Sequence, residues 1–409
     1  MEIRDYDHDR DFDAVDQIWH DVGWVSEERE TEGLKCAVRV SDCVVMPIDG
    51  RAECSVMAAP GQLRHGAVDL EMAAITAVTT SQVARRLGGA QALTAEMLAR
   101  QAEAGRGVAV LGMFDQGFYD RVGFGTGAYS SHFSFDPQSL RVPATFRPPK
   151  RLGRDNWREM HGALSRRLRG HGGCVLTPPE FFEAETKWTE DPIGLGYYDG
   201  PGGALSHFFW GELADAHGPA QIEYIAYEST AQLFELLALI GSLGDQIDSV
   251  SLPEPPEIQL QDLLTKPMRQ RRLTEDSGEP AGQETVAYWQ ARMLDVEQCL
   301  AATVLDAPEV EFNLTLTDPL AAQLQLPHEW QGVGGSYVVS LGANSHARKG
   351  VSAALPTLTT TVGAFTRIWL GVRGASTLAL TDQIDAPADL LQKLDRTLAL
   401  PTPILGWDF

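Results

Sequence analysis

Apolar residues Phe12, Val15, Ile18 and Trp19 recur at helical spacing near the start of the chain. Alternating segments follow at 34–48 and 52–59, and residues 67–80 read as a strand. Helical periodicity returns over 89–104, with Ala90, Leu93, Met97 and Leu98 on one face and Gly105 as the stop. Val108–Met113 reads as a further strand. Strand, crossover helix and strand form a βαβ-type unit, which requires at least one parallel pair.

A proline-rich stretch, 142–149, has the composition of a linker. Beyond it the pattern repeats in outline. Residues 156–169 predict a helix, 204–212 and 221–227 strands, 231–243 an apolar helix, and 247–252 a strand. Polar residues 273–284 read as a second linker. Residues 310–317 then alternate as a half-buried strand, with further strands at 335–341 and 353–361 and helices at 362–371 and 386–398. This last part is an α+β unit of another type. The expected division is 1–140, 150–284 and 285–409.

A chain of 409 residues is too long for one core, which agrees with several units. Its composition, 44% hydrophobic and 22% charged, is that of a globular protein. A net charge of −23 repels nucleic-acid phosphates and anionic membrane surfaces, and attracts cationic small molecules or basic peptides. The same charge also serves solubility without any pocket. The five cysteines are widely spaced and form no Cys-x-x-Cys pair, so neither a metal site nor a disulfide framework is expected. The start of the chain has no signal-peptide core and no apolar run is long enough to span a membrane, so the expected location is the cytoplasm.

Residues 74–127 carry the chemistry. A strand containing Ala77, Val78, Thr79 and Thr80 runs into Arg85-Arg86-Leu87-Gly88-Gly89-Ala90, and that turn opens the 89–104 helix. Free N–H groups at a helix start, backed by arginines, form an anion site. Farther on stands Tyr119-Asp-Arg121-Val-Gly123-Phe-Gly125. Its glycines precede a strand rather than a helix, so they are no dinucleotide fingerprint. The matching junction of the second unit reads Tyr227-Glu228-Ser229-Thr230, and an acid there is wrong for a pyrophosphate.

These motifs resemble the GNAT superfamily of acetyl-CoA-dependent N-acetyltransferases, and within it the Eis-like (enhanced intracellular survival) branch. The C-terminal stretch adds to the likeness: Trp369-Leu-Gly-Val-Arg373, Leu391-Gln-Lys-Leu-Asp395, and the ending Trp407-Asp408-Phe409. The resemblance implies a mixed α/β and α+β chain. Two tandem GNAT folds, the second degenerate, precede a domain similar to sterol carrier proteins. It implies acetyl-CoA as co-substrate, no metal, and a homohexamer. The cofactor would be held by Val78, Thr79, Thr80, Arg85, Arg86, Gly88, Gly89 and Ala90. Tyr119 would be the general acid and the α-carboxylate of Phe409 the general base. Asp21, Trp24 and Asp408 are candidates for an acidic, aromatic-walled acceptor pocket.

The sequence departs from the family pattern at Gln82 and Ala84, where Pro and His are common. It also has Leu87 in place of a third arginine, and Ala77 in place of an aromatic residue. The implied acceptor is a cationic amine, aminoglycoside-like or a lysine side chain of a peptide. The competing expectation is a non-catalytic protein that binds an apolar lipid in its third unit.

Overall fold

The computed structural model describes residues 1–265 and 281–407. Asp408, Phe409 and residues 273–280 of the second expected linker lie outside the described residues.

The chain opens with strand β1 (Arg4–Asp5), helices α1 (His8–Asp21) and α2 (Glu28–Arg39), and strands β2 (Asp42–Ile48), β3 (Arg51–His65) and β4 (Val68–Thr80). Asp7 caps α1 by accepting from the N–H of Arg10 at 3.2 Å. Residues 34–39, expected to alternate, instead finish α2. Leu34, Ala37 and Val38 are all buried, a helical spacing that a strand would split between two faces. Helix α3 (Gly89–Glu103) crosses over to β5 (Val108–Gly112), which lies parallel to β4 as the pattern required.

Next come β6 (Gly125–Thr126), β7 (Ser130–Phe135), β8 (Lys150–Arg151), α4 (Trp157–Arg166), β9 (Cys174–Leu176) and α5 (Pro179–Trp188). They are followed by β10 (Pro192–Tyr197), β11 (His207–Leu213), β12 (Ala220–Ala226), α6 (Thr230–Ser242) and β13 (Val250–Pro253). Strands β12 and β13 are parallel, so the βαβ order does recur. Strands β14 (Gly282–Val286) and β15 (Trp289–Met293) lead to α7 (Val296–Ala301), β16 (Val310–Thr317), β17 (Gly335–Leu341), β18 (His346–Lys349) and β19 (Thr357–Thr361). Helix α8 (Val362–Trp369), α9 (Ala375–Leu378), β20 (Ile384–Asp385) and α10 (Ala388–Thr397) complete the elements.

Among the described residues the strands form three sheets. The first has eight strands in the order β1-β2-β3-β4-β5-β15-β6, with β9 also on β3. The second has seven, β14-β7-β13-β12-β11-β10-β8, and the third five, β18-β17-β16-β19-β20.

The sheets do not respect the boundaries drawn on the sequence. Strand β7, read with the first unit, pairs with β13 and β14 in the second sheet. Strand β15, read with the third unit, is inserted between β5 and β6 of the first. Strand β9 couples the second unit to β3. One buried cluster accordingly runs from Met72 and Val110 through Phe182 and Trp210 to Phe312 and Trp369.

The third unit also braces α3. The buried carboxylate of Glu96 accepts from the N–H groups of Gln325 at 2.6 Å and Leu326 at 2.9 Å, and lies 2.6 Å from His328 Nε2. Glu103 accepts from the N–H groups of Glu329 and Trp330.

Candidate active site

The site begins at a defect in β4. Ser55 on β3 pairs with Thr79, but Met57 pairs with Thr76, so Ala77 and Val78 together oppose Val56. This bulge holds Ala77 at φ +52°, in the left-handed region that a residue with a Cβ seldom visits. On its other side β4 pairs with β5 only over Met72–Ile75. Past that point the two strands part, and residues of both line the opening.

Two clefts meet there. The smaller, about 680 Å³, is lined by Val78, Thr79, Thr80, Arg85, Arg86, Gly88, Gly89 and Ala90. All eight residues expected to hold the cofactor are thus brought together. The side chain of Thr79 turns inward to Ser55 Oγ at 2.8 Å, so that residue offers the cleft its backbone. Gly88 stands before α3 at φ +81°, with open space where a Cβ would be. Gly89 is glycine for a different reason: a Cβ there would lie 2.7 Å from the Met46 methyl group. The first N–H groups of α3 have no acceptor within the helix.

The described lining of this cleft contains no carboxylate, and Arg121 adds a third cation. Leu87 stands where the family pattern has a third arginine, and Arg121, which the expected cofactor residues do not include, supplies that cation from another segment. Its place in the Tyr-x-Arg-x-Gly motif was the available signal. The second unit has the opposite chemistry at its helix start. Glu228 pairs with Arg166 at 3.2 Å, and the Ser229 hydroxyl caps α6 on the N–H of Gln232.

The larger cleft, about 1120 Å³, shares Trp24, Val78 and Phe114 with the smaller. Tyr119 lies in its wall, 2% exposed, and burial pushes its phenol pKa above the ordinary range. The motif around Tyr119 is shaped by what packs on it. A Cβ on Gly123 would lie 2.7 Å from Arg292 Nη1, and one on Gly125 2.3 Å from the Gly363 carbonyl oxygen.

Carboxylates in this cleft come from the second unit and the strands joined to it: Glu185, Glu223, Glu254 and Glu284. Nothing in the sequence pattern singled them out, because Glu223, Glu254 and Glu284 converge only through the pairing of β14, β7, β13 and β12, and Glu185 reaches the cleft from α5. Of the expected acceptor residues, Trp24 lines both clefts and packs edge-on against Trp19. Asp21 lines neither. It sits exposed at the end of α1, where its carboxylate accepts from Gln17 Nε2 at 2.9 Å one turn back.

The final segment of the chain is built into the same wall. The N–H of Ile404 donates to the His171 carbonyl at 3.0 Å, and the N–H of Cys174 to the Leu405 carbonyl at 2.9 Å. Arg167 Nη2 donates to the Gly406 carbonyl at 2.7 Å. Trp407 is 2% exposed, packed against Phe182 and Tyr224 with the Arg167 guanidinium over its ring. The other two expected site residues, Asp408 and Phe409, lie outside the described residues.

Among the described residues one group has metal-ligand spacing, Asp199, His207 and Glu235. It lines neither cleft. The Arg147 guanidinium bridges its two carboxylates at 2.6 and 2.8 Å, so the group is already engaged in an ion-pair knot. The five cysteines are free thiols. No helix among the described residues is long and apolar enough to cross a membrane.

Residues 2–127 match the family described as acetyltransferase (GNAT) domain, and residues 296–406 the sterol carrier protein domain. Among solved structures, a probable N-acyltransferase from Enterococcus faecalis is similar at TM-score 0.79 and 19% identity, covering 100% of this chain and 99% of its own. A GCN5-related N-acetyltransferase from Anabaena variabilis is similar at TM-score 0.76 and 18% identity, covering 100% of both chains. Eis1 from Mycobacterium abscessus is similar at TM-score 0.75 and 16% identity, again covering 100% of both. At such identities the likeness establishes the fold over the whole length. A comparison with curated protein sequences gave no match. The acetyltransferase domain matched at residues 2–127 makes the chain an enzyme, an acyltransferase, and a domain of this kind implies the use of acetyl-CoA.

Proposed function

We propose that the chain transfers an acetyl group from acetyl-CoA directly to an amine of a cationic acceptor, an aminoglycoside-like compound or a lysine side chain. The observation that carries this reading is the meeting, at Val78 and Phe114, of a cleft lined by three arginines and no carboxylate with one in which four carboxylates outnumber Arg167 and Arg169, with Tyr119 in the wall of the second. The N–H groups at the start of α3, with Arg85, Arg86 and Arg121, suit a pyrophosphate. The backbone of Val78 and Thr80 suits the pantetheine arm, and the bulge frees an N–H to polarise a carbonyl. When bound, the donor supplies an activated thioester.

The chain's own groups then handle two protons. Tyr119 holds one on its phenol oxygen across the neutral range, since burial raises its pKa, and passes it to the departing sulfur. The ammonium group of the acceptor must lose the other. The family resemblance assigns its removal to the α-carboxylate of Phe409, and Trp407, the last described residue, stands in the cleft wall. Glu185, Glu223, Glu254 and Glu284 outnumber Arg167 and Arg169 in this cleft and, with Trp24, favour a cation there. Holding amine and thioester together supplies much of the rate. The third unit contributes Thr402, Ile404, Leu405, Gly406 and Trp407 to this site, which supports a catalytic part over a separate lipid-carrying one.

The test is release of free thiol from acetyl-CoA in the presence of kanamycin-like and lysine-peptide amines. Turnover with at least one of them is expected. Tyr119→Phe should lose on the order of 100-fold in kcat with little change in acetyl-CoA affinity. Tight cofactor binding without thiol release for any amine would sink the reading. A tag appended after Phe409 should abolish turnover and spare cofactor binding. Undiminished turnover in the tagged protein would remove Phe409 from the mechanism.

A further inference from the structure

Tyr119 opens a single 3-10 turn, Tyr119–Val122, that follows a loop whose Phe114 is 72% exposed. So short a turn does not fix a side chain by itself. Part of its order is local: the N–H of Gly123 donates to the Asp120 carbonyl at 3.0 Å, and that of Phe124 to the Tyr119 carbonyl at 3.2 Å. The rest comes from β15. Gln290 Nε2 donates to Asp120 Oδ1 at 2.9 Å and lies 3.3 Å from Thr126 Oγ1. Two positions on, and therefore on the same sheet face, Arg292 Nη1 donates to the Val122 carbonyl.

Arg292 is wholly buried, and its counter-charge comes from the third unit. Its Nη2 donates to Asp318 Oδ2 at 2.8 Å. Asp318 is itself fixed: it accepts from the N–H of Val333 at 2.8 Å and that of Leu320 at 3.1 Å. The Trp330 ring covers the guanidinium. A buried ion pair is a poor device for stability alone, because desolvation offsets the attraction and apolar side chains of similar volume do as well. A rigid fork that holds a carbonyl of one unit and a carboxylate of another does what apolar packing cannot: it sets a position.

We propose that Arg292, backed by Asp318 and flanked by Gln290, is a positioning residue that holds the Tyr119 turn in register with the cleft. The proposal rests on the reading of Tyr119 as the general acid. It makes the ion pair between β15 and the third unit part of the active site's support.

The experiment is a double-mutant cycle on the full-length protein. Arg292→Lys keeps the charge opposite Asp318 and gives up the second arm to Val122. It should lower kcat about 10- to 100-fold while KM for acetyl-CoA and for the amine stays within about threefold. In the Tyr119→Phe background the same change should cost almost nothing further, since its effect passes through the phenol. A loosened turn also admits water to the phenol, so the alkaline limb of the kcat profile should move to lower pH. If Arg292→Lys does not fold, Gln290→Leu carries the same cycle.

A folded Arg292→Lys with unchanged kcat, beside an impaired Tyr119→Phe, overturns the positioning role alone. An equal loss in both backgrounds does the same, marking a merely structural pair. Full turnover in Tyr119→Phe overturns the acid assignment and this proposal with it.

Discussion

Gly125 and Gly363 meet backbone to backbone. A Cβ on Gly125 would lie 2.3 Å from the Gly363 carbonyl oxygen, and one on Gly363 2.6 Å from that of Phe124. Neither contact ends in a flexible side chain, so relief requires the start of α8 to move off the Tyr119 motif. Gly125→Ala is therefore expected to cost roughly 2–4 kcal/mol in denaturant unfolding. Gly88→Ala meets open space and only the strain of φ +81°, so about 1 kcal/mol is expected. Equal costs at the two positions would contradict this distinction. The glycines were legible in the sequence as a motif, but the reason for Gly125 was not, because its partner enters from a distant segment. Asp21 failed for the reverse reason. It is close in sequence to Trp24, but the end of α1 turns its carboxylate to solvent and to Gln17.

At the scale of elements, the helix that opens the cofactor cleft is held from outside its own unit. Glu96 on α3 receives two backbone N–H groups and faces His328, all from the 325–328 segment. Glu96→Ala takes the shared acceptor from two part-buried N–H donors and a partner from His328. We expect a loss of about 1–2 kcal/mol in global stability, together with faster amide exchange along α3. A loss within about 0.5 kcal/mol would show that the segment docks by apolar packing alone. The helix itself was legible because Leu93, Met97 and Leu98 keep the helical period and are buried. Strand β15 was not. Its five residues are all buried, yet Gln290 and Arg292 interrupt the apolar run, since their side chains serve the Tyr119 turn. Strand β14 was illegible for the opposite cause: all five of its residues are exposed, so main-chain pairing with β7 places it without an apolar face to detect.

At the scale of the whole molecule, the three units meet over two buried histidines. His65 on β3 stacks on Trp369 of α8 with ring centroids 4.4 Å apart, and its Nε2 lies 3.2 Å from the Trp369 carbonyl. His171 approaches from the second unit. Its Nδ1 accepts the N–H of Gly66, which leaves Nε2 to donate to the Leu370 carbonyl at 2.9 Å. Burial, then the neighbouring His171, lowers the His65 pKa to about 3, and burial lowers that of His171. Both rings are thus neutral when folded and take up a proton near pH 6.5 when unfolded. Their contribution is complete above that value and is lost as pH falls toward about 3 for His65. Between about pH 6.5 and 3, His65 steepens the loss by about 1.4 kcal/mol per pH unit, and His171 acts in the same direction. Acid also relieves the self-repulsion of a chain of net charge −23, an effect of opposite sign, so the absolute slope does not isolate the junction. The difference between variants does. His65→Phe keeps a ring on Trp369 and removes one titration. Its unfolding free energy between pH 6 and 5 should fall less steeply than the wild type's by about one proton's worth. Parallel slopes would place the acid sensitivity elsewhere. A shallower slope would assign that share of the acid sensitivity to the contact of His65 with Trp369, at a junction where the His171 carbonyl also receives the N–H of Ile404 from the segment that lines the larger cleft.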